Sequence, residues 1–127
     1  MRDTIIYTAG PLRGFGDDWK QRENIDKATR VARELWRRGY TVICPHLNNL
    51  NFDGPDLVCD DFMAGDFVII ERCDALVVLP GWEDSAGTRM EIEFAQNMGI
   101  LVYFWSDGAY KNGIPNNIKP RGDTDGA

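Results

Sequence analysis

The sequence predicts a single α/β domain, a three-layer sandwich in which a parallel sheet of four to five strands carries helices on both faces. Two observations predict it. Short apolar runs alternate along the chain with longer stretches of helical periodicity, and the apolar runs stop at glycine, proline or small polar residues. At 127 residues and 43% hydrophobic content, the chain is long enough for one core and needs no second domain.

Residues 4–9 are apolar and β-branched and read as a first strand, stopped by Gly10-Pro11. A loop through Gly14, Gly16 and Asp17-Asp18 follows. Over residues 19–38 the positions Ile25, Ala28, Thr29, Ala32, Leu35 and Trp36 recur at helical spacing, and Gly39 supplies the stop. Residues 40–44 read as a second strand ending at Pro45, and the polar residues 46–55 as a loop long enough to be functional. A second helix begins at residue 57 or 59 and ends at 72, with Phe62, Phe67, Ile69 and Ile70 apolar and Gly65 weakening its middle. Residues 75–79 predict the third strand, 88–98 the third helix and 100–105 the fourth strand. From residue 106 onward Gly, Pro, Asn, Asp and Lys dominate without periodicity, so 106–127 reads as an irregular tail on a domain of residues 1–105, with no clear fifth strand. Trp19, Trp36 and Trp105 fall in helix or strand patterns, which assigns them to core packing.

Right-handed crossovers between these elements give a flavodoxin- or Rossmann-like order 2-1-3-4, whose switch point lies between the first and third strands. Ligands bind in such crevices, beyond the carboxyl ends of the strands. The formal charge of -6 opposes a nucleic-acid polymer as partner, whereas a small anion held by local amides and one or two arginines stays compatible. The three cysteines, Cys44, Cys59 and Cys73, lack metal or redox spacing and read as reduced thiols, and His46 is the only histidine. No metal or organic cofactor is implied. No segment has signal-like or membrane-spanning character, so the cytoplasm is the expected compartment and no membrane partner is expected.

Two segments converge on the predicted crevice, Gly10-Pro11-Leu12-Arg13-Gly14 and the turn from Gly81 to Gly87. The second leads through Asp84-Ser85-Ala86-Gly87-Thr88 into a helix whose first amides are free to bind an anion. Each motif alone is satisfied by a turn or an N-cap, and it is their convergence that points to a site. Glu91 shares an edge of the apolar stripe Met90, Phe94 and Met98, whereas Glu93 is expected in solvent. A glutamate near helix amides is expected to stay ionised, which suits a nucleophile, although a surface glutamate favouring the macrodipole has the same spacing. Tyr7 faces either the cleft or the core.

In these residues the chain resembles the nucleoside 2-deoxyribosyltransferase superfamily, including the nucleoside-monophosphate N-glycosidases. The likeness rests on Tyr7 with Gly10-Pro11, the strand ending before Gly81, and above all Asp84-Ser85-Ala86-Gly87-Thr88-x-x-Glu91. It extends from residue 5 to about 104, and the Gly-Pro-Leu-Arg-Gly and Leu-Pro-Gly-Trp segments are similar to small superfamily members found in phage genomes.

The resemblance implies cleavage of the N-glycosidic bond of a 2-deoxyribonucleoside or its 5′-monophosphate, with Glu91 as nucleophile and Asp66, or else Asp61, as the acid for the leaving base. It implies Gly10, Pro11, Arg13 and Gly14 near sugar and phosphate, Asp84 at the same corner, and Ser85 with Gly87 around a 5′-phosphate. It also implies a homodimer or larger homo-oligomer, with Trp82 at a subunit seam or stacked on a base; a sheet-edge cap accounts for Trp82 as well. The late asparagine of the transferases has only Asn116 and Asn117 as candidates, in a context that does not match, which favours hydrolysis over base exchange. The alternative is a nucleotide-binding or sensing module in which Ser85, Gly87 and Arg13 hold the ligand and Glu91 bonds a ribose hydroxyl. A weaker third reading is an assembly protein with a tryptophan-rich surface.

Overall fold

In the computed structural model, which describes residues 3–12, 18–48, 56, 59–106 and 109–110, five strands form one sheet. They are β1 (Ile5–Ala9), β2 (Thr41–Ile43), β3 (Ala75–Val78), β4 (Leu101–Ser106) and β5 (Ala109–Tyr110), ordered β2-β1-β3-β4-β5. The first four are parallel, with Tyr7 beside Ile43 on one side and Leu76 on the other. The short β5 pairs antiparallel with the end of β4, Trp105 opposite Tyr110, a fifth strand that the glycine- and proline-rich sequence around it concealed.

The helices are α1 (Asp18–Arg37), the single turn α2 (Pro45–Asn48), α3 (Cys59–Glu71) and α4 (Ala86–Asn97), with a 3₁₀ turn at Trp82–Asp84. Parallel strands buried on both faces divide the core in two. Ile6, Val42, Ala75 and Val77 pack under α1 with its stripe Ala28, Val31, Ala32 and Leu35. Alternate residues Tyr7, Ala9, Leu76 and Val78 point the other way, among Ile70 of α3 and Ile92 and Ala95 of α4. Strand parity therefore sends the Tyr7 side chain toward the α3–α4 layer and away from α1.

Several boundaries moved for local reasons. The predicted strand 40–44 shrinks to three residues because the Tyr40 N–H closes the end of α1 on the Leu35 carbonyl (3.2 Å) and Pro45 opens α2. That turn also replaces the start of the predicted loop; its residues 49–55 lie outside the described ones. α4 starts two residues before the predicted 88, because Ser85 is its N-cap and accepts the Thr88 N–H at 3.2 Å.

Two expectations about packing are corrected. Trp19 and Trp36 are 65% and 42% exposed, since the buried stripe of α1 runs through Ala28, Val31, Ala32 and Leu35 and leaves both rings on its flanks; Trp105 is buried as expected. On α4 the expected stripe Met90, Phe94 and Met98 is not the buried one: Met90 is 51% exposed, whereas Thr88, Glu91, Ile92 and Ala95 are buried. These four share one helical face at spacings of three and four, turned onto the sheet. Phe94, on the neighbouring side, stacks instead on Phe67 of α3, 4.8 Å between centroids.

Candidate active site

The carboxyl ends of β1 and β3 approach so closely that a Cβ at Gly10 would stand 2.8 Å from Leu79 Cβ. Beyond them Gly81 takes φ +93°, a left-handed conformation open to glycine, and turns the chain into the 3₁₀ turn. Ser85 then caps α4, its Oγ also 2.8 Å from Thr88 Oγ1, which leaves the first amides of the helix beside the crevice.

The crevice holds a cavity of about 530 Å³ at the switch point. Gly10, Pro11 and Leu12 follow β1 into it, and Pro80, Gly81 and Asp84 to Thr88 follow β3. Asp66, Phe62 and Met63 of α3 and Glu91 of α4 form one wall, while Lys20, Asn24 and Lys27 of α1 with Pro45 and His46 of α2 form the opposite one.

At the floor, the buried Tyr7 hydroxyl donates to Glu91 Oε2 at 2.5 Å. Asp66, from a different helix, adds its charge beside that hydroxyl. Burial pushes Glu91 up to about 8; the Asp66 charge pushes the same way and the Tyr7 hydrogen bond opposes it. Burial likewise raises Asp66 to about 6, with the neighbouring Tyr7 hydroxyl pulling the other way. Burial, then the two carboxylates, hold the Tyr7 hydroxyl far above its ordinary value, so it stays a donor.

The expectation that helix amides keep Glu91 ionised is thus corrected. Because α4 begins at Ala86, Glu91 sits in the second turn, beyond the free amides, and desolvation outweighs the dipole. Over the interval between about 6 and about 8 the two carboxyls hold one proton between them. A pair in that state can supply one anionic oxygen and one proton to a bound molecule.

A family model described as a domain of unknown function, DUF4406, matches residues 4–104. The chain belongs to that family. No curated protein matches it. Among solved structures, a 2-deoxyribosyltransferase from Bacillus psychrosaccharolyticus is 24% identical at a TM-score of 0.56, over 80% of this chain and 71% of that one. A conserved protein from Enterococcus faecalis V583 is 27% identical at 0.57, over 80% of this chain and 62% of that one. The Clostridium botulinum CMP N-glycosidase is 24% identical at 0.52, over 80% and 70%. These likenesses show that this DUF4406 chain shares their α/β fold.

Of the residues singled out from sequence, Gly10, Pro11, Asp66, Asp84, Ser85, Gly87 and Glu91 line the one cavity, with Tyr7 beneath. Trp82 does not line it. Its half-buried ring leans on Phe104 at 5.3 Å, within the apolar cluster under α4, because the 3₁₀ turn points it back toward the sheet. Arg13 and Gly14 lie outside the described residues, and of Asp61 only the backbone, in α3, is described. Asn24 was not anticipated as a lining residue, and His46 only as the first residue of a loop long enough to be functional. Asn24 sits on the buried stripe of α1, one turn before Ala28, and an amide at such a position is the signal that it turns to something polar. Its Nδ2 donates to the Leu12 carbonyl at 3.2 Å, and His46 Nε2 lies 2.9 Å from the Pro11 carbonyl, so the two side chains hold consecutive carbonyls of the loop after β1. Among the described residues no group of acidic, cysteine or histidine side chains is arranged to hold a metal, and no helix is long and apolar enough to cross a membrane.

Proposed function

We propose that the protein cleaves the N-glycosidic bond of a 2-deoxyribonucleoside or its 5′-monophosphate. The observation that carries this reading is the buried Tyr7–Glu91 pair with Asp66 beside it, on the floor of a cavity whose rim is the Ser85-capped helix. The fold shared with a deoxyribosyltransferase and a CMP N-glycosidase supports the same chemistry.

In this reading the pair reacts in its minor form, with its one proton moved from Glu91 to Asp66, and a Glu91 oxygen, as carboxylate, forms a bond to the anomeric carbon while the bond from that carbon to the base nitrogen breaks. The base leaves with the electron pair of that bond and takes the proton carried by Asp66. The carboxylate also stabilises the cation-like sugar on the way. Water, giving its proton to Asp66, then attacks the anomeric carbon and releases Glu91; a second base in place of water makes the reaction a transfer. Tyr7 positions Glu91 throughout. The α4 amides with Ser85 and Gly87 receive the 5′-phosphate, assisted by Gly10, Arg13 and Gly14, while Pro11 and Asp84 stand on the sugar side of the same corner. A neighbouring copy in a homodimer or larger ring completes the phosphate end.

A second reading, a nucleotide-binding module, is favoured by one observation. Glu91 raised to about 8 carries a proton at neutral pH and is then a donor to a sugar hydroxyl. One experiment separates the two. Deoxynucleosides and their 5′-monophosphates are incubated with the protein, with and without a free acceptor base, and released or exchanged base is followed by chromatography. Base release lost in Glu91→Ala supports cleavage, and exchange only with acceptor supports transfer. Binding without turnover in both proteins leaves the binding module and removes the nucleophile.

A further inference from the structure

Ser85 accepts the Thr88 N–H on its side chain and the Arg89 N–H on its carbonyl, so the amides of α4 left open to an anion are those of Ala86 and Gly87. That corner is not bare. Met63 reaches it from α3, and both Met63 and Gly87 line the cavity. A Cβ at Gly87 would stand 2.8 Å from Met63 Cε, its one neighbour within 4 Å among the described residues outside the helix. In a helix the bond from Cα to Cβ tilts toward the amino end, so the Met63 methyl sits on the side of Gly87 from which an anion reaches the amides. The backbone behind it is pinned: Phe67, one turn further along α3, stacks on Phe94 of α4 at 4.8 Å. The side chain itself is an unbranched thioether, half-buried and able to change rotamer without moving the helix.

We propose that Met63 is a specificity-determining residue whose terminal methyl covers the Gly87 corner and sets how strongly 5′-monophosphates are preferred over free nucleosides. This inference rests on the N-glycosidic reading above and deepens its substrate class. A free nucleoside leaves the thioether in place, with its 5′-carbon against the methyl. A 5′-phosphate turns the thioether out before it reaches the amides of Ala86 and Gly87. The phosphate therefore gains its hydrogen bonds only against the burial of the side-chain end that it displaces, and the net preference is smaller than an open helix end would give.

The test is equilibrium binding by calorimetry, in a Glu91→Gln background that prevents turnover, of the four common deoxynucleosides and their 5′-monophosphates, with Met63 retained and with Met63→Ala. For each base the measured quantity is the ratio of monophosphate to nucleoside affinity. Met63→Ala uncovers the corner and raises that ratio about tenfold, the worth of no longer displacing a buried sulfur and methyl. A ratio that stays level or falls overturns the role of Met63 while leaving the cleavage reading intact. An equal change in both ligand classes is such a result, since it marks general packing against the sugar. Failure of monophosphates to bind either protein, with nucleosides bound, overturns the inference as well. Absence of any nucleoside or nucleotide binding overturns the cleavage reading and this inference together. Should Met63→Ala fail to fold, Met63→Leu, whose side chain ends one atom short of Met63 Cε, gives the same comparison.

Discussion

The Tyr7 hydroxyl donates to Glu91 at 2.5 Å across 84 positions of sequence, and this bond opposes the burial that pushes the glutamate up. Tyr7→Phe keeps the ring in the core and removes the bond. Glu91 then titrates at still higher pH, so the alkaline limb of the pH–activity profile moves upward. The maximal kcat/KM for base release falls about ten- to a hundredfold. An unchanged profile in the variant excludes Tyr7 as a positioning residue.

Activity that needs one proton shared by Asp66 and Glu91 is bell-shaped in pH. Release of base rises through about 6 as the first proton leaves the pair and falls through about 8 as the second leaves. Rates under kcat/KM conditions from pH 5 to 9 measure it. Asp66→Asn removes the proton donor, flattens the profile and lowers the rate most for bases that leave poorly.

The same burial makes stability depend on pH. In the folded protein Glu91 keeps its proton up to about 8, whereas the unfolded chain gives it up near its ordinary 4.5. The folded state therefore holds more protons between those values, and stability falls as pH rises from about 5 to about 8. The loss is of the order of a few kcal/mol, since each tenfold difference in proton affinity between the folded and unfolded chain is worth about 1.4 kcal/mol. Glu91→Gln, uncharged at every pH, loses much of that slope and is the more stable protein at pH 8 and above. Chemical denaturation of both proteins at pH 5, 6.5 and 8 checks the sign.

Two glycines on the cavity rim separate architecture from ligand contact. An alanine at Gly10 drives its methyl into Leu79, 2.8 Å from Cβ, at about 1–3 kcal/mol of stability. At Gly87 the new methyl meets only the mobile end of Met63, in a helix that favours alanine. Gly87→Ala keeps its melting temperature within a few degrees. Its KM rises for 5′-monophosphates and stays level for free nucleosides, because the methyl stands where the phosphate approaches. Equal effects on both substrate classes place the phosphate elsewhere.

The strand order was legible because apolar runs buried on both faces, Ile5 to Ala9 and Ala75 to Leu79, can occupy only the centre of a parallel sheet. The corner at Ser85 was legible because a hydroxyl before a helix has a fixed task. The burial of Glu91 was hidden for a physical reason. Hydrophobic periodicity picks out Met90 and Phe94 on α4, whereas the buried face mixes Thr88 and Glu91 with Ile92 and Ala95, and its two polar members break the apolar repeat. His46 and Asn24 are concealed in the same way, since side chains that turn to a cavity leave no repeat in the sequence. Trp82 misled in the opposite direction: a ring in a polar turn reads as free for a ligand, yet it closes the core on Phe104.

The parallel pairing has a consequence for how the chain is made. β1 has no neighbour until residues 41–43 have been synthesised, and no second one until 75–78. Tyr7 waits longer still, for the helix that brings Glu91. On a ribosome the first strand emerges as a sticky, unsheltered segment while more than half of the domain is still untranslated. The Tyr7–Glu91 bond thus forms only late in assembly, and translation products that stop before residue 91 carry the exposed strand without it.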